Sequence, residues 1–360
     1  MYNSEKTDKL SLSKFKNING VTCYMNSILH ILQNIKEFVD FMLKISYLDD
    51  KNILYNTLHD LFKESLSNEN ISIMPLIFRE TIGKKNSQWI EHEQQDSQEF
   101  LNFLISELES ELGLKCNFIP SSSNSVNLID SSNNLSLTNI ISNLITSNTW
   151  NKHNLNEYTS LKNIFYGVKQ EIKPCIHCRS SSMTPDIFSM IQLSIPKNKS
   201  NVTLYDCLNN TIYNNETDNC ILKCDFCGLF SNITTQSRLW KTPNILILHL
   251  IRFTNTYNKF TNNVELNKIN THIEYPINDL NLMNYFNITS SYIHNCIYDL
   301  IGINIHTGMN INSGHYTSII KNMFNGNWYY YNDDYPVRKI NDIEELQNKN
   351  AYILFYQLKN

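Results

Sequence analysis

The sequence predicts an α+β fold in which a helical layer faces a mainly antiparallel sheet across a cleft. Two observations carry this. The first third repeats apolar residues at helical spacing, whereas from Ile164 onward the chain breaks into short alternating runs. Those runs, FYGVKQEI, IFSMIQLSI, NILILHLIRF, YDLIGINIH, HYTSIIK, WYYYND and AYILFYQL, are rich in Ile, Tyr, Phe and Leu and are bounded by Gly, Pro and Asn. Helices first and strands afterwards is the order of an α+β chain.

Bulk properties narrow the function classes. The 360 residues exceed the usual size of one core, so two or three packed subdomains are expected. With 41% hydrophobic residues and only 9 Gly and 8 Pro, the composition is globular. The net charge is −4 and the longest basic cluster is the pair Lys84 and Lys85, which argues against nucleic-acid binding. The opening MYNSEKTDKLSLS lacks the apolar run of a secretory signal, and no stretch approaches the roughly 20 apolar residues of a membrane span. A reducing compartment, cytoplasmic or nuclear, is therefore expected, with a monomeric chain. In that setting nine cysteines suit metal ligation and a reactive thiol better than disulfides.

The first element is NINGVTCYMNSILHILQN, Asn17–Asn34. Apolar Tyr24, Ile28, Leu29 and Leu32 follow Cys23 at helical spacing, so Cys23 opens a helix, with Thr22 as the expected N-cap. First-turn N–H groups and the helix dipole favour a thiolate there. Further helical spacing covers Phe38–Ser46, Leu54–Leu66 and Pro75–Thr81. From Glu91, EHEQQDSQEFLNFLISELESEL predicts a long amphipathic helix that Gly113 ends. Residues 120–134 are polar text that buries nothing, read as a surface loop or insertion.

Two clusters carry chemistry. CIHC (Cys175, Cys178) and CDFC (Cys224, Cys227) are knuckles separated by 45 residues, a spacing that suits a tetrahedral Cys₄ site for structural zinc at the tips of two hairpins. Reduced structural thiols, or one knuckle recruiting His177 or Cys220, are the alternatives. The second cluster is IGINIHTGMNINSGHYTSIIK. Of its two histidines, His315 begins a strand after Ser313 and Gly314 and is the better general base than His306. A hairpin through Asn325 and Gly326 returns the chain to Asn332, Asp333 and Asp334, where an amide or carboxylate can fix the imidazole tautomer.

In order, TCYMNSIL, QQDSQEFL (Gln94–Leu101), the two knuckles, LILHLIRF (Leu246–Phe253), GHY (Gly314–Tyr316), WYYYND (Trp328–Asp333) and AYILFY (Ala351–Tyr356) resemble the blocks of the ubiquitin-specific protease family. The resemblance implies a papain-like cysteine protease forming one catalytic domain. It would have a helical thumb over 1–148, zinc-ribbon fingers over 149–243, and an antiparallel palm over 244–360 that carries the histidine. It implies that Cys23 is the nucleophile, His315 the base and Asn332 the orienting residue, with Asp333 as alternative. Ubiquitin and its conjugates are the implied partners, and no catalytic cofactor is expected. An extended basic tail ending in two glycines would meet Gln95, Asp96 and Glu99 on one side and Gly314 and Tyr316 on the other, with Thr307–Ser313 as a gate.

One position departs from the family pattern. The amide that assists the oxyanion lies five residues before the cysteine, and here that residue is Ile18. Its neighbours Asn17 and Asn19 are the candidates, Asn19 first because Gly20 beside it allows unusual backbone angles. Ile18, and Asn rather than Asp at 332, leave two other readings open: a ubiquitin-binding scaffold with little or no chemistry, and a protease for a ubiquitin-like modifier.

Overall fold

The structure is a computed structural model that describes residues 12–44, 51–68, 70–113, 134–156, 159–197, 199–213, 221–224, 226–232, 235–258, 263–310 and 313–359. Helical spacing in the first third produces α1 (Cys23–Leu32), α2 (Lys36–Lys44), α3 (Ile53–Ser67), α4 (Leu76–Lys85) and α5 (Ser97–Leu112). Short strands β1 (Lys14–Phe15) and β2 (Ser72–Ile73) pair beside them in parallel. Every residue of α1 is buried. Its apolar residues pack against Phe100, Leu101 and Leu104 of α5 within the same core as the sheet residues Tyr316, Ile320 and Tyr331. The expected helix from Glu91 starts later, at Ser97, because the Asp96 carboxylate accepts from the N–H groups of Gln98 (2.5 Å) and Glu99 (3.3 Å) and caps it. Residues 45–46 of the expected second helix and nearly all of the expected loop 120–134 lie outside the described residues.

After α6 (Asn134–Asn156) and the short α7 (Leu161–Phe165), strand β3 (Gly167–Pro174) pairs antiparallel with β4 (Ser181–Phe188). Strand β5 (Ile191–Ser194) joins the large sheet described below, β6 (Val202–Thr203) leads into α8 (Leu204–Ile212), and β7 (Ile221–Lys223) and β8 (Phe230–Asn232) form a second hairpin. Strand β9 (Gln236–Lys241) pairs with the other edge of β3. Helix α6 was not expected, and its packing explains why. Its aliphatics Ile140, Ile141, Leu144 and Ile145 are exposed, and it docks through one buried aromatic, Trp150, packed with Val168 and Trp240, and through polar atoms. Gln170 Nε2 donates to Thr146 Oγ1 (2.7 Å), and Trp240 Nε1 donates to Asn143 Oδ1 (2.9 Å).

The remaining chain builds the large sheet. It comprises β10 (Ile245–Ile251), the hairpin β11 (Phe253–Asn258) and β12 (Asn263–Lys268), then β13 (Ile273–Glu274), β14 (Leu280–Asn281), β15 (Ile297–Asn310), β16 (Ser313–Lys321), β17 (Trp328–Tyr331), β18 (Arg338–Ile340) and β19 (Ala351–Leu358). The sheet order is β18-β17-β16-β15-β19-β10-β5 with β14 also on β15. The pairings are antiparallel except that β5 lies parallel to β10. Hairpin β11–β12 stands apart from this sheet, and β13 pairs with β6. Alternation along β10 sends Ile245 and Ile247 into the core shared with the helices, and Leu246, Leu248 and Leu250 into a second core with Leu204, Leu208 and Ile212 of α8. Both faces being covered explains the unbroken apolar runs. No helix among the described residues is long and apolar enough to cross a membrane.

Candidate active site

The loop before Cys23 is closed by its own side chains. Ile18 N–H donates to Thr22 Oγ1 (2.8 Å), and Thr22 N–H donates to Asn17 Oδ1 (2.8 Å). Asn19 (φ 54°) and Gly20 (φ 74°) take consecutive left-handed conformations to make this turn. Thr22 stands at the N-cap position, but its hydroxyl accepts from Ile18 and caps no helix N–H, contrary to expectation. The sulfur of Cys23 instead meets the backbone N–H groups of Tyr316, Tyr24 and Cys23 itself. Burial pushes this thiol up to about 11. The Asp333 charge adds to the rise, and the three N–H groups oppose it.

Strand β16 brings His315 to the same place, since Tyr316 is its neighbour. Strand β17 runs back antiparallel, pairing Ser318 with Tyr331, and delivers Asn332 beside the ring. His315 Nε2 lies 2.6 Å from Asn332 Oδ1. An amide oxygen only accepts, so Nε2 carries the proton and Nδ1 keeps a lone pair for a thiol. Asp333 Oδ2 is 3.7 Å from the same nitrogen. Asp333 is 4% exposed and left-handed (φ 47°), and its carboxylate accepts from Asn17 Nδ2 (2.9 Å) and Asn26 Nδ2 (2.8 Å). Burial raises its pKa, against the pull of those two amides and of His315.

Of the expected substrate-facing residues, Asp96 is buried. Its Oδ1 caps α5 and its Oδ2 accepts from Tyr352 OH (2.5 Å). Glu99 is exposed, and Gln95 is half-buried with Oε1 3.5 Å from Gln88 Nε2. Gly314 N–H donates to Gln94 Oε1 (2.9 Å), which links the helical layer to the sheet at the histidine strand. Tyr316 is buried against His306, with ring centroids 4.7 Å apart. Asn19, the expected oxyanion amide, is exposed and its side chain carries no hydrogen bond among the described residues, whereas the Asn17 carboxamide is held at both ends.

The two knuckles converge. Cys175, Cys178, Cys224 and Cys227 place their sulfurs within 4.8 Å of one another and could hold a metal ion. The turns share one design. Cys175 N–H donates to Ser180 O and Arg179 N–H to Cys175 O, while Cys224 N–H donates to Leu229 O and Gly228 N–H to Cys224 O. Arg179 (φ 60°) and Gly228 (φ 72°) take the same left-handed position after the second cysteine of each knuckle. Backbone N–H groups of Cys227 and Phe226 hold the Cys224 thiol down to about 6, while, against the Leu229 backbone N–H, burial and the neighbouring thiols push Cys227 up to about 11, so the four sulfurs share their protons unequally. His177 is exposed, and Cys220 lies outside the described residues.

A family profile described as ubiquitin carboxyl-terminal hydrolase matches residues 14–356. The chain belongs to the ubiquitin carboxyl-terminal hydrolase family. Human ubiquitin carboxyl-terminal hydrolase 2 is 27% identical over 353 residues, covering 94% of this chain and 54% of the relative. Ubiquitin carboxyl-terminal hydrolase 4 of Saccharomyces cerevisiae is 28% identical over 370 residues, covering 94% of this chain and 38% of the relative. The chain thus spans about half or less of the length of these curated relatives. The fold is also that of a solved chain from the SAGA Ubp8/Sgf11/Sus1/Sgf73 DUB module bound to ubiquitin aldehyde. That match has a TM-score of 0.71 at 23% identity and covers 100% of this chain and 72% of that one.

Sequence reasoning missed three residues of this hydrolase-family site. Asn26, one turn after Cys23 on the same helix face, ties α1 to Asp333. Gln94, rather than Gln95, reaches Gly314. Asn304 of β15 is fully buried, accepting from Ser97 Oγ (2.9 Å) and donating to Ser27 Oγ (2.8 Å), so one amide joins α1, α5 and the sheet. The helical offset from Cys23 could have pointed to Asn26. Nothing in the sequence pairs Asn304 with two serines more than 200 residues away.

Proposed function

We propose that the chain is a thiol-dependent deubiquitinating hydrolase that cleaves the peptide or isopeptide bond after the C-terminal glycine of ubiquitin. The observation that carries this is the His315–Asn332 bond of 2.6 Å beside a cysteine at a helix N-terminus that the next residue of the same strand contacts. His315 Nδ1 takes the Cys23 proton, and the thiolate attacks the glycine carbonyl carbon, placing charge on its oxygen. As the carbon–nitrogen bond breaks, the imidazolium gives its proton to the departing amine. Water, deprotonated by His315 Nδ1, then attacks the thioester, and the carbon–sulfur bond breaks to return Cys23. Burial of the resting thiol makes transfer to His315 necessary, and Asn332 holds the ring in the tautomer that accepts.

Asn17 is the better side-chain donor to the oxyanion than Asn19. Its amide nitrogen has two hydrogens, Asp333 takes one, and the group is fixed by Thr22 at the other end, which is the preorganisation such a donor needs. Glu99, Gln95 and Gly314 are assigned to the substrate tail, with Asp96 and Tyr316 supporting them from below. The same reading divides the chain into thumb (1–148), fingers (149–243) and palm (244–360), and a reducing compartment keeps Cys23 free.

Zinc is the metal we assign to the knuckles. Zinc–sulfur bonds of about 2.3 Å in a tetrahedron put sulfurs about 3.8 Å apart. The Cys175–Cys227 and Cys178–Cys224 separations are 3.8 and 3.7 Å, which fits. Zinc there ties two hairpins together and takes no part in the reaction.

Hydrolysis of a fluorogenic amide on the ubiquitin C-terminus, with Cys23→Ser as control, tests the activity. Turnover that Cys23→Ser abolishes is expected. Micromolar ubiquitin binding without turnover would overturn the hydrolase reading in favour of a scaffold. Labelling of Cys23 only by a warhead on a ubiquitin-like modifier would overturn the substrate.

A further inference from the structure

Lys268 ends β12, and its ammonium is bound to the strand that precedes His315. Nζ donates to the carbonyl oxygens of His306 and Gly308, each at 2.8 Å, and lies 3.2 Å from His306 Nδ1. Three acceptors match the three hydrogens of an ammonium. Because that group only donates, His306 Nδ1 must present its lone pair and the ring proton sits on Nε2. Burial, then the Lys268 charge, then that of His315 push His306 down to about 4, so its ring is neutral at physiological pH. Burial, then Arg252, bring Lys268 down to about 8, which leaves it mainly charged near pH 7.

The contact continues without slack to the histidine strand. A Cβ on Gly314 would lie 2.3 Å from His306 Nε2 and 2.8 Å from Thr307 O, so the imidazole is pressed directly against the residue before His315. Gly308, paired with Gly314 in the β15–β16 ladder, is as close: its Cβ would lie 2.6 Å from Gly314 Cα. Phe253 of β11, the cross-strand partner of Lys268, also packs its ring on His306, with centroids 5.2 Å apart. Hairpin β11–β12 therefore touches the turn that carries the base through one charged group and one ring.

We propose that Lys268 is a positioning residue for His315: by fixing the His306 and Gly308 carbonyls and the His306 ring, it holds Gly314, and hence the His315 imidazole, where it can serve Cys23. The proposal rests on Cys23 and His315 being nucleophile and base. A displacement of about 1 Å in such a group can cost about 10² in rate, so loss of the three bonds acts on turnover more than on substrate binding.

The test uses the full chain with Lys268→Met, which keeps the stem and removes the donors, and Lys268→Arg, which keeps charge and donors. Three quantities are measured: kcat and KM on the fluorogenic ubiquitin amide, the pH profile of Cys23 alkylation by iodoacetamide, and the melting temperature. Lys268→Met is expected to lower kcat about tenfold or more with KM within about threefold, and to move the alkylation profile to higher pH. Lys268→Arg is expected to recover most of both losses. A Met variant with unchanged kcat and alkylation profile, or with a raised KM alone, overturns the proposal. If Lys268→Met fails to fold, Lys268→Gln takes its place under the same criteria. Alkylation needs no ubiquitin. A shifted profile in a chain that turns over no ubiquitin substrate would keep the positioning role and sink the deubiquitinase reading, and the converse result would do the reverse.

Discussion

His315 Nε2 lies 2.6 Å from Asn332 Oδ1 but 3.7 Å from the Asp333 carboxylate, so two adjacent residues divide the work that one carboxylate could do. In the proposed reaction Asn332 orients the ring, while Asp333 ties the loop before Cys23 and the helix after it through Asn17 and Asn26.

This division predicts different failures. Asn332→Ala should lower kcat/KM about 10²-fold, within the span of general acid–base contributions, with little change in melting temperature. Asp333→Ala strands two amide donors and should cost about 2–6 kcal/mol of stability as well as turnover, at about 1–3 kcal/mol for each unsatisfied group. Melts and steady-state kinetics of the two variants would separate the roles. A destabilised Asn332→Ala beside an unaffected Asp333→Ala would reverse the assignment.

The loop proposed to serve the oxyanion gives a second contrast. Asn17→Ala should lower kcat about 10²–10³-fold, the usual effect of losing one such donor, and Asn19→Ala should leave kcat within about twofold because its side chain is exposed and unbonded. Turnover on the ubiquitin amide at matched folded fraction is the measurement. A large loss in Asn19→Ala would return the role to that residue.

Much of this site was legible because its parts are local. Cys23 at a helix start, His315 at a strand start and Asn332 after the returning strand each follow from short-range pattern, and one hairpin brings the last two together. The reading of Thr22 as a cap failed because its hydroxyl found the nearer Ile18 N–H. The sequence favours Asn19 over Asn17 because Gly20 is its neighbour, and it gives no sign of Asn17's anchor, Asp333, 316 positions away. Helix α6 is absent from the sequence reading because its aliphatic residues Ile140, Ile141, Leu144 and Ile145 face outward and it docks through one buried aromatic, Trp150, and polar atoms, so no apolar stripe marks it.

Three buried histidines set an acid limit on stability. His30, His249 and His306 are pushed from 6.5 down to about 3, 3 and 4, in each case first by burial. The unfolded chain takes up these protons below about pH 6.5 while the folded chain does not, so stability falls as pH drops from there towards 4. The slope reaches about 4 kcal/mol per pH unit if all three act, at about 1.4 each. The raised pKa values of buried Asp96 and Asp333 oppose this at lower pH, so a single substitution is the cleaner test. Both His249 ring nitrogens are buried with no hydrogen-bond partner among the described residues, so His249→Phe should cost little at pH 7 and remove about a third of the slope. Urea midpoints at pH 7, 6 and 5 report it; an unchanged slope contradicts it.

The knuckles make the last prediction. Four sulfurs within 4.8 Å of one another, two pairs of them 3.7–3.8 Å apart, hold no stable arrangement as thiolates without a cation, so the purified chain should carry close to one zinc, and Cys224→Ser should carry much less. The pair of hairpins is joined by the cluster, while Cys23 and His315 are held by α1 and the large sheet. Chelation should therefore lower the melting temperature and weaken ubiquitin binding, yet leave the rate of Cys23 alkylation within about twofold. Elemental analysis, melts and alkylation on the same sample decide it. A zinc-free chain with an unaltered melt would show that the cysteines meet for another reason, and loss of alkylation on chelation would show that the metal supports the nucleophile after all.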